Sequence, residues 1–406
     1  KLNRYTADQM RRLNAPRQGL EGRECTVCGS TDVQQDNRCC WCARFEALST
    51  QIQSLERIAY YVTANASGAW DLQLPGLHGE AYLSLVDEET ARSRAKNDAA
   101  MLRVYTKNKA FMGLANSVQL HVCDYFASNQ NEELAQAAAG IRRLAICRMD
   151  VDNLGQAFVA GFEREKAASS SERFRFVTLS RSATLSRQLS LFFKRYMNEI
   201  LRQRSADEQP LQVSVVYSGG DDVFFIGAWD HVVRAARRIQ RQFVLFSGGA
   251  LTLSCGIGLY DAKYPIRLAA EETAELEQRA KTKPGKNAIA LFDPLEDHTY
   301  AWPTFGEQVI GQKYQLLEIF FVKQAERGMA FLYRMMALLR QANRDRLNLA
   351  RYAYLLARLQ PSPGSKDYSL YSMFSKQMYA WACSEEDRKQ LITAIYLYVY
   401  INRKVE

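Results

Sequence analysis

Four aspartates in two separate segments have the type and spacing expected of a divalent-cation site. Asp150 and Asp152 close an apolar run, while Asp221 and Asp222 follow a Gly-Gly pair in the segment YSGGDDVFF. Carboxylates gathered at one sheet edge repel one another unless a cation neutralises them. Hard oxygen ligands favour Mg²⁺ or Mn²⁺, and such ions assist hydroxyl attack and pyrophosphate release. The aspartates therefore predict a metal-dependent nucleotidyl-transfer site.

The residues around these aspartates fit the same chemistry. Side chains alternate along a strand, so Asp150 and Asp152 share one face and the Val151 carbonyl remains available to a metal. Gly219 and Gly220 lack Cβ atoms, which lets them form a turn and lets a triphosphate approach the backbone. The alternative is a polar hairpin turn without chemistry. The upstream Asp-x-Asp argues against that alternative.

A lysine-bearing segment supplies the opposite charge. Lys281 lies at the end of a helical pattern, and Gly285, Lys286 and Asn287 precede the next apolar run. Two lysines around a glycine turn are suited to triphosphate oxygens. The alternative is a lysine-rich helix end that interacts with its own dipole, and this segment alone does not decide between them.

Cysteines form a second candidate site. Cys25-x-x-Cys28 and Cys39-x-x-Cys42 have the spacing of a tetrahedral zinc site, with Cys40 as an extra thiol able to replace a neighbour. Iron–sulfur binding is the alternative, but two such pairs in a small loop favour structural Zn²⁺. Because four thiolates close the coordination sphere, we expect this site to fold a small subdomain and not to catalyse.

The elements that must position the aspartates follow from periodicity. Strand-like runs are IRRLAICRMD, the two halves of QVSVVYSGGDDVFFIGAW, LTLSCGIGLY and NAIALF. Helical apolar spacing occurs at 178–204, 230–246 and 268–281. The order β-α-β-β-α-β-α-β predicts an α+β fold with a ferredoxin-like core and additions. In that arrangement the end of the first strand lies beside the turn of the following hairpin.

The flanking segments are less regular. Residues 46–62 have helical spacing, residues 69–126 contain the candidate strands AYLSLV, MLRVY and VQLHV, and residues 306–406 read as helix with a break at 361–365. The chain is thus predicted to have four parts. These are a tail of an upstream domain (1–20), a zinc-knuckle-containing linker domain (21–140), a domain that carries the GGDD segment (141–300) and a helical C-terminal domain (301–406).

Composition narrows the class of protein. The 406 residues are 47% hydrophobic and 24% charged, which is typical of a globular protein and excludes extended disorder. No apolar run reaches the roughly 20 residues of a bilayer-spanning helix, and no signal peptide follows Lys1. We therefore expect a cytoplasmic protein. The net charge of +9 is compatible with a nucleic-acid partner but does not identify one.

Five segments, in their order and spacing, resemble the large palm-domain subunit of type III-A (Csm-type) CRISPR effector complexes. They are CRMDVDNLG, SRSATLSRQLSLFF, YSGGDDVFFIGAW, LTLSCGIGLY and AKTKPGKNAIALF. The resemblance covers nearly the whole chain and is to the C-terminal portion of that subunit. Some features are also similar to diguanylate cyclases with the GGDEF motif, but Val223 stands where those cyclases have Glu-Phe or Phe.

The resemblance implies a nucleotidyl-cyclase palm that converts ATP into cyclic oligoadenylates when its complex captures target RNA. It implies Mg²⁺ or Mn²⁺ ligation by Asp150, Asp221 and Asp222, with Asp152 as a ligand or as an organiser of the turn. Nucleotide contacts would come from Gly219, Gly220, Ser218, Asn153, Lys281 and Lys286. The implied partners are guide RNA, target RNA, a guide-handle-binding subunit and small helical subunits, without a membrane.

Two departures from the family matter. The family usually begins with an HD nuclease domain and a first palm without GGDD, whereas this sequence has four histidines and no His-Asp dipeptide. We therefore predict no HD nuclease activity here. One palm is recognisable, although the family forms its product across two. This leaves a non-catalytic RNA-complex scaffold, or a free-standing diguanylate cyclase, as alternatives to an active synthase.

Arginines recur through the predicted C-terminal helices. They are Arg334, Arg340, Arg344, Arg346, Arg351 and Arg358. Such a series is suited to a groove for RNA, because phosphate contacts dominate nucleic-acid binding. The alternative is a solvated helix face, and the sequence leaves both open.

Overall fold

The computed structural model describes most of the chain in two compact units. The described residues are 25–29, 33–35, 37–54, 58–67, 70–74, 80–164, 169–202, 209–293, 297–322, 329–342, 345–362 and 364–403. The first unit ends at Val122 and the second begins at Cys123. The predicted tail at 1–20 lies outside the described residues, and the four-part division of the chain stays a prediction.

The first unit combines a small hairpin with a separate sheet. Its elements are β1 (Val33–Gln35), β2 (Arg38–Cys39), α1 (Cys40–Ser54), β3 (Ala59–Thr63), β4 (Leu72–Leu74), β5 (Ala81–Val86), α2 (Glu88–Asn97), β6 (Met101–Lys107) and β7 (Ser117–Leu120). Strands β1 and β2 pair with each other, and the other five form a sheet in the order β4-β5-β3-β6-β7. The three strands predicted within 69–126 are confirmed as β5, β6 and β7.

The helix predicted over 46–62 is wrong in its second half. Helix α1 ends at Ser54, and the strand β3 begins at Ala59. β-Branched and aromatic residues such as Tyr60, Tyr61 and Val62 favour a pleated surface. Here β3 pairs with β5 on one side and β6 on the other, so long-range strand pairing overrides the helical spacing.

The second unit begins with the elements of the sheet that carries the aspartates. These are α3 (Asn131–Gln136), β8 (Leu144–Val151), α4 (Leu154–Ala160), α5 (Ser170–Arg173), α6 (Leu179–Leu191), a π-helical turn (Phe192–Tyr196), α7 (Met197–Arg202), β9 (Val213–Ser218), β10 (Asp222–Ala228), α8 (Trp229–Ser247), β11 (Leu253–Tyr260), α9 (Ile266–Thr282), β12 (Ala288–Phe292) and β13 (Thr299–Ala301). The predicted element order from residue 141 to residue 292 is confirmed.

The sheet has the ferredoxin-like strand arrangement. Its order is β13-β12-β11-β8-β10-β9, and β8 is antiparallel to both neighbours, β10 and β11. Counting from β8, the four core strands therefore lie in the order fourth, first, third, second, as the split β-α-β motif requires. Strands β12 and β13 extend the β11 edge.

Helices α8 and α9 contribute to the covering of this sheet, and a glycine permits one close approach. A Cβ atom at Gly256 of β11 would lie 2.4 Å from the Glu277 nitrogen and 2.6 Å from the Thr273 carbonyl oxygen of α9. Only a residue without a side chain allows this helix–strand distance. The position of α9 on the sheet is therefore set by Gly256.

Helices follow the sheet to the end of the described chain. They are a π-helical segment (Thr304–Tyr314), α10 (Gln315–Val322), α11 (Met329–Gln341), α12 (Leu347–Ala357), α13 (Tyr368–Cys383) and α14 (Glu385–Asn402). Their apolar residues share one buried cluster with the sheet, including Phe305, Phe320 and Phe374. Five of the six arginines named above are exposed, and Arg344 lies outside the described residues.

Candidate active site and metal centre

Strand pairing brings the two acidic segments together. Asp150 near the end of β8 and Asp222 at the start of β10 are direct partners in the antiparallel register. The Val151 nitrogen also donates a hydrogen bond to the Asp221 carbonyl oxygen at 3.1 Å. Directly opposed residues have Cβ atoms about 4.5–5.5 Å apart. Asp150, Asp221 and Asp222 therefore share one edge of the sheet.

Protein groups contact two of these carboxylates. The Lys281 ammonium lies 2.6 Å from Asp150 Oδ2, and the Tyr217 hydroxyl donates to Asp222 Oδ1 at 2.7 Å. Lys281 was predicted to contact a triphosphate. In the structure it contacts Asp150, which was predicted to bind a metal. One side chain thus lies between the predicted cation ligand and the predicted phosphate contacts.

The protonation behaviour of Asp221 and Lys281 reflects this crowding. Burial raises the pKa of Asp221, and the charges of Asp150 and Asp222 raise it further, against the opposing effect of Lys281. Burial lowers the pKa of Lys281, but its contacts with Asp150 and Glu277 outweigh burial and the net shift is upward. The edge therefore favours an added positive charge and keeps Lys281 protonated.

Asp152 differs from its neighbour Asp150. Strand β8 ends at Val151, so the alternation argument does not extend to Asp152, which is only 3% exposed. Its Oδ2 accepts hydrogen bonds from the Thr252 hydroxyl at 2.7 Å and the Asn287 nitrogen at 3.0 Å. Its Oδ1 is buried and has no hydrogen-bond partner among the described residues. Asp152 thus connects three loops and has one carboxylate oxygen that is not used in those contacts.

The glycines of the turn have different surroundings. The Gly219 nitrogen donates to the Asp222 carbonyl oxygen at 2.8 Å, and a Cβ at Gly219 would lie 2.7 Å from Asp222 Oδ1. A side chain at Gly219 would therefore displace the Tyr217 hydroxyl or the Asp222 carboxylate. Gly220 is exposed, and a Cβ there would meet no atom within 4 Å. Gly220 accordingly leaves the space over the turn open.

The remaining predicted nucleotide contacts lie at the same edge but are not equally available. The Ser218 hydroxyl donates to the Phe193 carbonyl oxygen at 2.7 Å, so it holds the π-helical turn. The Lys286 ammonium donates to Asn153 Oδ1 at 2.7 Å. Both residues of that pair have positive φ, 50° and 55°, in the turns that precede β12 and α4. These contacts join the lysine-bearing segment to the end of β8.

Two charged residues of this edge, Arg148 and Glu277, were not predicted from the sequence. Glu277 Oε1 lies 2.7 Å from the Lys281 ammonium, and Glu277 Oε2 lies 2.9 Å from Arg148 Nε. Two signals were present. Glu277 and Lys281 are four apart on one helix, and Arg148 and Asp150 are two apart on one strand, so each pair shares a face. The four side chains form a chain of alternating charge.

These residues fit a hard divalent cation. The donors are carboxylate oxygens, and one of them is buried without a hydrogen-bond partner in the described part of the chain. Burial, together with the negative charges of Asp150 and Asp222, raises the pKa of Asp221. The aspartates nevertheless do not form a ready cluster. In the described part of the chain, one group of three or more Cys, His, Asp or Glu side chains has its ligand atoms close enough to share an ion, and it is the cysteine group.

That cysteine group consists of Cys25, Cys28, Cys39 and Cys42. Their sulfur atoms all lie within 4.8 Å of one another, and the Cys28 and Cys39 sulfurs are 3.6 Å apart. A Zn–S distance of about 2.3 Å in a tetrahedron corresponds to an S–S distance of about 3.8 Å. The four thiols could therefore bind zinc as predicted, and Cys40 is not part of the group.

Local backbone contacts explain why these thiols meet. The Gly29 nitrogen donates to the Cys25 carbonyl oxygen, with Gly29 at a φ of 70°, and the Cys42 nitrogen donates to Cys39 Sγ where α1 begins. Hydrogen bonds from the backbone of Cys28 and Cys39 lower the pKa of Cys25 to about 6. At least one thiolate is therefore favoured near neutral pH, as metal binding requires.

None of the described helices combines the length and the apolar character needed to cross a bilayer.

Family models match two parts of the chain. Residues 143–290 match the second palm domain of Cas10/Cmr2, and residues 318–404 match the second helical domain of the CRISPR RNA silencing complex Cmr2 subunit. The first match includes the sheet edge that carries Asp150, Asp152, Asp221 and Asp222, which we call the aspartate edge. The second covers the helices α11 to α14.

Curated relatives match over the full chain. A Cas10/Csm1 single-strand-specific deoxyribonuclease of subtype III-A from Mycobacterium tuberculosis is 38% identical over 419 residues, covering 100% of this chain and 50% of that protein. The corresponding protein from Enterococcus italicus is 34% identical over 417 residues, again covering 100% of this chain and 50% of that protein. The chain spans about half the length of the curated relatives it matches.

Solved structures share the fold. An apo Csm1–Csm4 cassette matches with a TM-score of 0.61 at 21% identity, covering 89% of this chain and 50% of that one. A Csm1–Csm4 cassette in complex with one ATP matches with a TM-score of 0.57 at 24% identity, covering 87% and 50%. The resemblance inferred from the motifs is confirmed, and the chain belongs to the Cas10/Csm1 family of CRISPR type III-A proteins.

Proposed function

We propose that this chain carries the nucleotidyl-cyclase site of an RNA-activated cyclic oligoadenylate synthase within a type III-A CRISPR complex. The observation that carries the proposal is the direct pairing of Asp150 with Asp222 across β8 and β10. Beside them, the Val151 nitrogen donates a hydrogen bond to the backbone carbonyl oxygen of Asp221. Carboxylates from two distant segments thus meet where a triphosphate can approach the backbone at Gly220.

In the proposed reaction the 3′-hydroxyl of one ATP attacks the α-phosphorus of the next. A new P–O bond forms, the bond to pyrophosphate breaks, and the hydroxyl proton passes to solvent. Repetition and a final intramolecular attack close the ring. No protein nucleophile takes part, so positioning and charge neutralisation supply the catalysis.

We propose that the acidic residues bind the cation and that the lysines bind the triphosphate. Asp150, Asp221 and Asp222 would hold Mg²⁺ or Mn²⁺, with the free oxygen of Asp152 close by. Such an ion, when bound, assists hydroxyl attack and stabilises the leaving pyrophosphate. Lys281 and Lys286 would bind triphosphate oxygens, and Gly220 leaves room for them. Asn153 would orient Lys286 through the contact that it already makes.

Neighbouring structures support the choice of substrate and partners. Proteins of this fold have been solved as Csm1–Csm4 cassettes in complex with ATP, with pppApA and with cA4. We therefore propose ATP as substrate and a Csm4-type, guide-handle-binding subunit as partner. Guide RNA, target RNA and small helical subunits would complete the assembly. The four-cysteine cluster would hold structural Zn²⁺ and would not take part in the reaction.

The names of the relatives include deoxyribonuclease activity. We do not assign that activity to the segment described by this sequence, which has no His-Asp dipeptide.

The test replaces both aspartates of the turn by alanine in the complete protein, assembled with its partner subunits, guide RNA and target RNA. Products made from ATP are identified by mass spectrometry. We expect Asp221→Ala with Asp222→Ala to abolish cyclic oligoadenylates while assembly and RNA binding persist. Undiminished product would contradict the proposal, and wild-type protein that assembles but makes no product would identify a non-catalytic scaffold. Preference for GTP would instead identify a diguanylate cyclase.

A further inference from the structure

A buried carboxylate outside the predicted site binds two cations of the aspartate edge. Glu277 is 4% exposed on α9 and uses both oxygens, one for Lys281 and one for Arg148. The backbone of Glu277 cannot shift easily, because the close approach at Gly256 fixes α9 against β11. Glu277 is therefore a fixed negative charge beneath the site.

Lys281 bridges this fixed charge and the candidate metal ligand. Its ammonium lies 2.7 Å from Glu277 Oε1 and 2.6 Å from Asp150 Oδ2. A divalent cation on Asp150 Oδ2 would repel an ammonium group at contact distance from the same oxygen. Cation binding at Asp150 thus requires Lys281 to leave that oxygen. Glu277 is the partner that Lys281 keeps when it leaves.

Glu277 pairs with a different cation through each oxygen. Arg148 Nε contacts Oε2 at 2.9 Å, and the Lys281 ammonium contacts Oε1 at 2.7 Å. Because a buried carboxylate is costly unless both oxygens have partners, the Lys281 contact with Glu277 is favoured. This contact also holds the flexible Lys281 side chain beside Asp150, the candidate metal ligand.

We infer that Glu277 is a positioning residue that lets Lys281 exchange Asp150 for the triphosphate of ATP, so that cation entry and nucleotide binding are coupled. This inference rests on the proposed function of the same edge. Without the Glu277 charge, Asp150 is the one carboxylate that Lys281 still contacts. Lys281 then competes more strongly with an entering cation for Asp150.

The test measures Mn²⁺ affinity without nucleotide, from the paramagnetic resonance signal of free Mn²⁺, on the complete zinc-loaded protein. We expect Glu277→Gln to weaken Mn²⁺ binding about tenfold, and Lys281→Met to strengthen it, because Asp150 is released. In the Lys281→Met background, Glu277→Gln should change the affinity by less than about threefold, since its effect acts through Lys281. Glu275→Gln, at an exposed position on the same helix, is the matched control.

Two further measurements separate positioning from folding. The concentration of Mn²⁺ for half-maximal product formation should rise in Glu277→Gln, with kcat at saturating Mn²⁺ within about threefold of wild type. Glu277→Asp keeps the charge and should restore part of the affinity. If Glu277→Gln does not fold, the Lys281→Met arm still decides, because Mn²⁺ binding no tighter than in wild type would overturn the inference.

An unchanged Mn²⁺ affinity in Glu277→Gln, or an equal loss in both backgrounds, would also overturn it. Those results leave the proposed function intact if the wild-type complex makes product. Product that survives Asp221→Ala with Asp222→Ala would instead remove the proposed function. The two failures are therefore distinguishable.

Discussion

The cysteine cluster of the first unit and the aspartate edge of the second place metal ligands together in different ways. The cysteines come from one short segment, and their sulfur atoms already lie within 4.8 Å of one another. The aspartates come from distant strands, and Lys281 and Tyr217 contact two of their carboxylates. Four protein ligands close together suit a permanently bound structural ion. Carboxylates that also contact a lysine suit an exchangeable ion that binds together with its substrate.

The largest effect that separates the two regions should come from Asp150. Asp150→Asn removes a candidate metal ligand and the partner of Lys281, so oligoadenylate synthesis should fall on the order of 10³-fold. Zinc content should not change. Rates are measured as product formed from ATP at saturating Mn²⁺. Asp261→Asn, at an exposed position, is the control, and an equal loss in both variants would contradict a special role for Asp150.

Substitutions in the cysteine cluster should change the zinc content and the folding of the first unit. Cys39→Ser should remove zinc and unfold the segment around α1, because a structural site contributes its binding energy to folding. Metal analysis and limited proteolysis measure these changes. Cys40→Ser should retain zinc, since Cys40 lies outside the group of four. Zinc loss from Cys40→Ser but not from Cys39→Ser would invalidate the ligand assignment.

A smaller effect should come from the packing that positions α9. Gly256→Ala places a Cβ 2.4 Å from the Glu277 nitrogen, so the free energy of unfolding of the second unit should fall by about 1–3 kcal/mol. Urea denaturation measures this change. Gly306→Ala is the control, because its Cβ would meet no atom within 4 Å. Equal stability of the two variants would show that α9 can move, which weakens the argument for a fixed Glu277.

The same contrast explains what the sequence could predict. The order of strands and helices from residue 141 to residue 292 depends on near neighbours in the chain and is confirmed. The four cysteines also lie together, as their spacing predicted. The helix predicted at 46–62 was wrong because pairing of β3 with β5 and β6 decides that segment. Pairings between distant segments are not encoded in local periodicity.

Some features of the candidate site could likewise be predicted from the sequence, and others could not. The convergence of Asp150 and Asp222 followed from the strand order, whereas the buried contacts of Asp152 and the inward hydrogen bond of Ser218 did not. Glu277 was missed because an ordinary helical Glu–Lys pair is usually a solvated one. Its burial depends on Gly256, which lies on another element. The catalytic roles of these residues stay predictions.

The most direct test of the central claim is calorimetric titration of ATP into the complete protein with and without Mn²⁺. If Asp150, Asp221 and Asp222 hold a cation together, wild-type protein should bind ATP in a Mn²⁺-dependent manner. The variant Asp221→Ala with Asp222→Ala should lose that dependence while its thermal unfolding is unchanged. Mn²⁺-dependent ATP binding of equal affinity in both proteins would contradict the account.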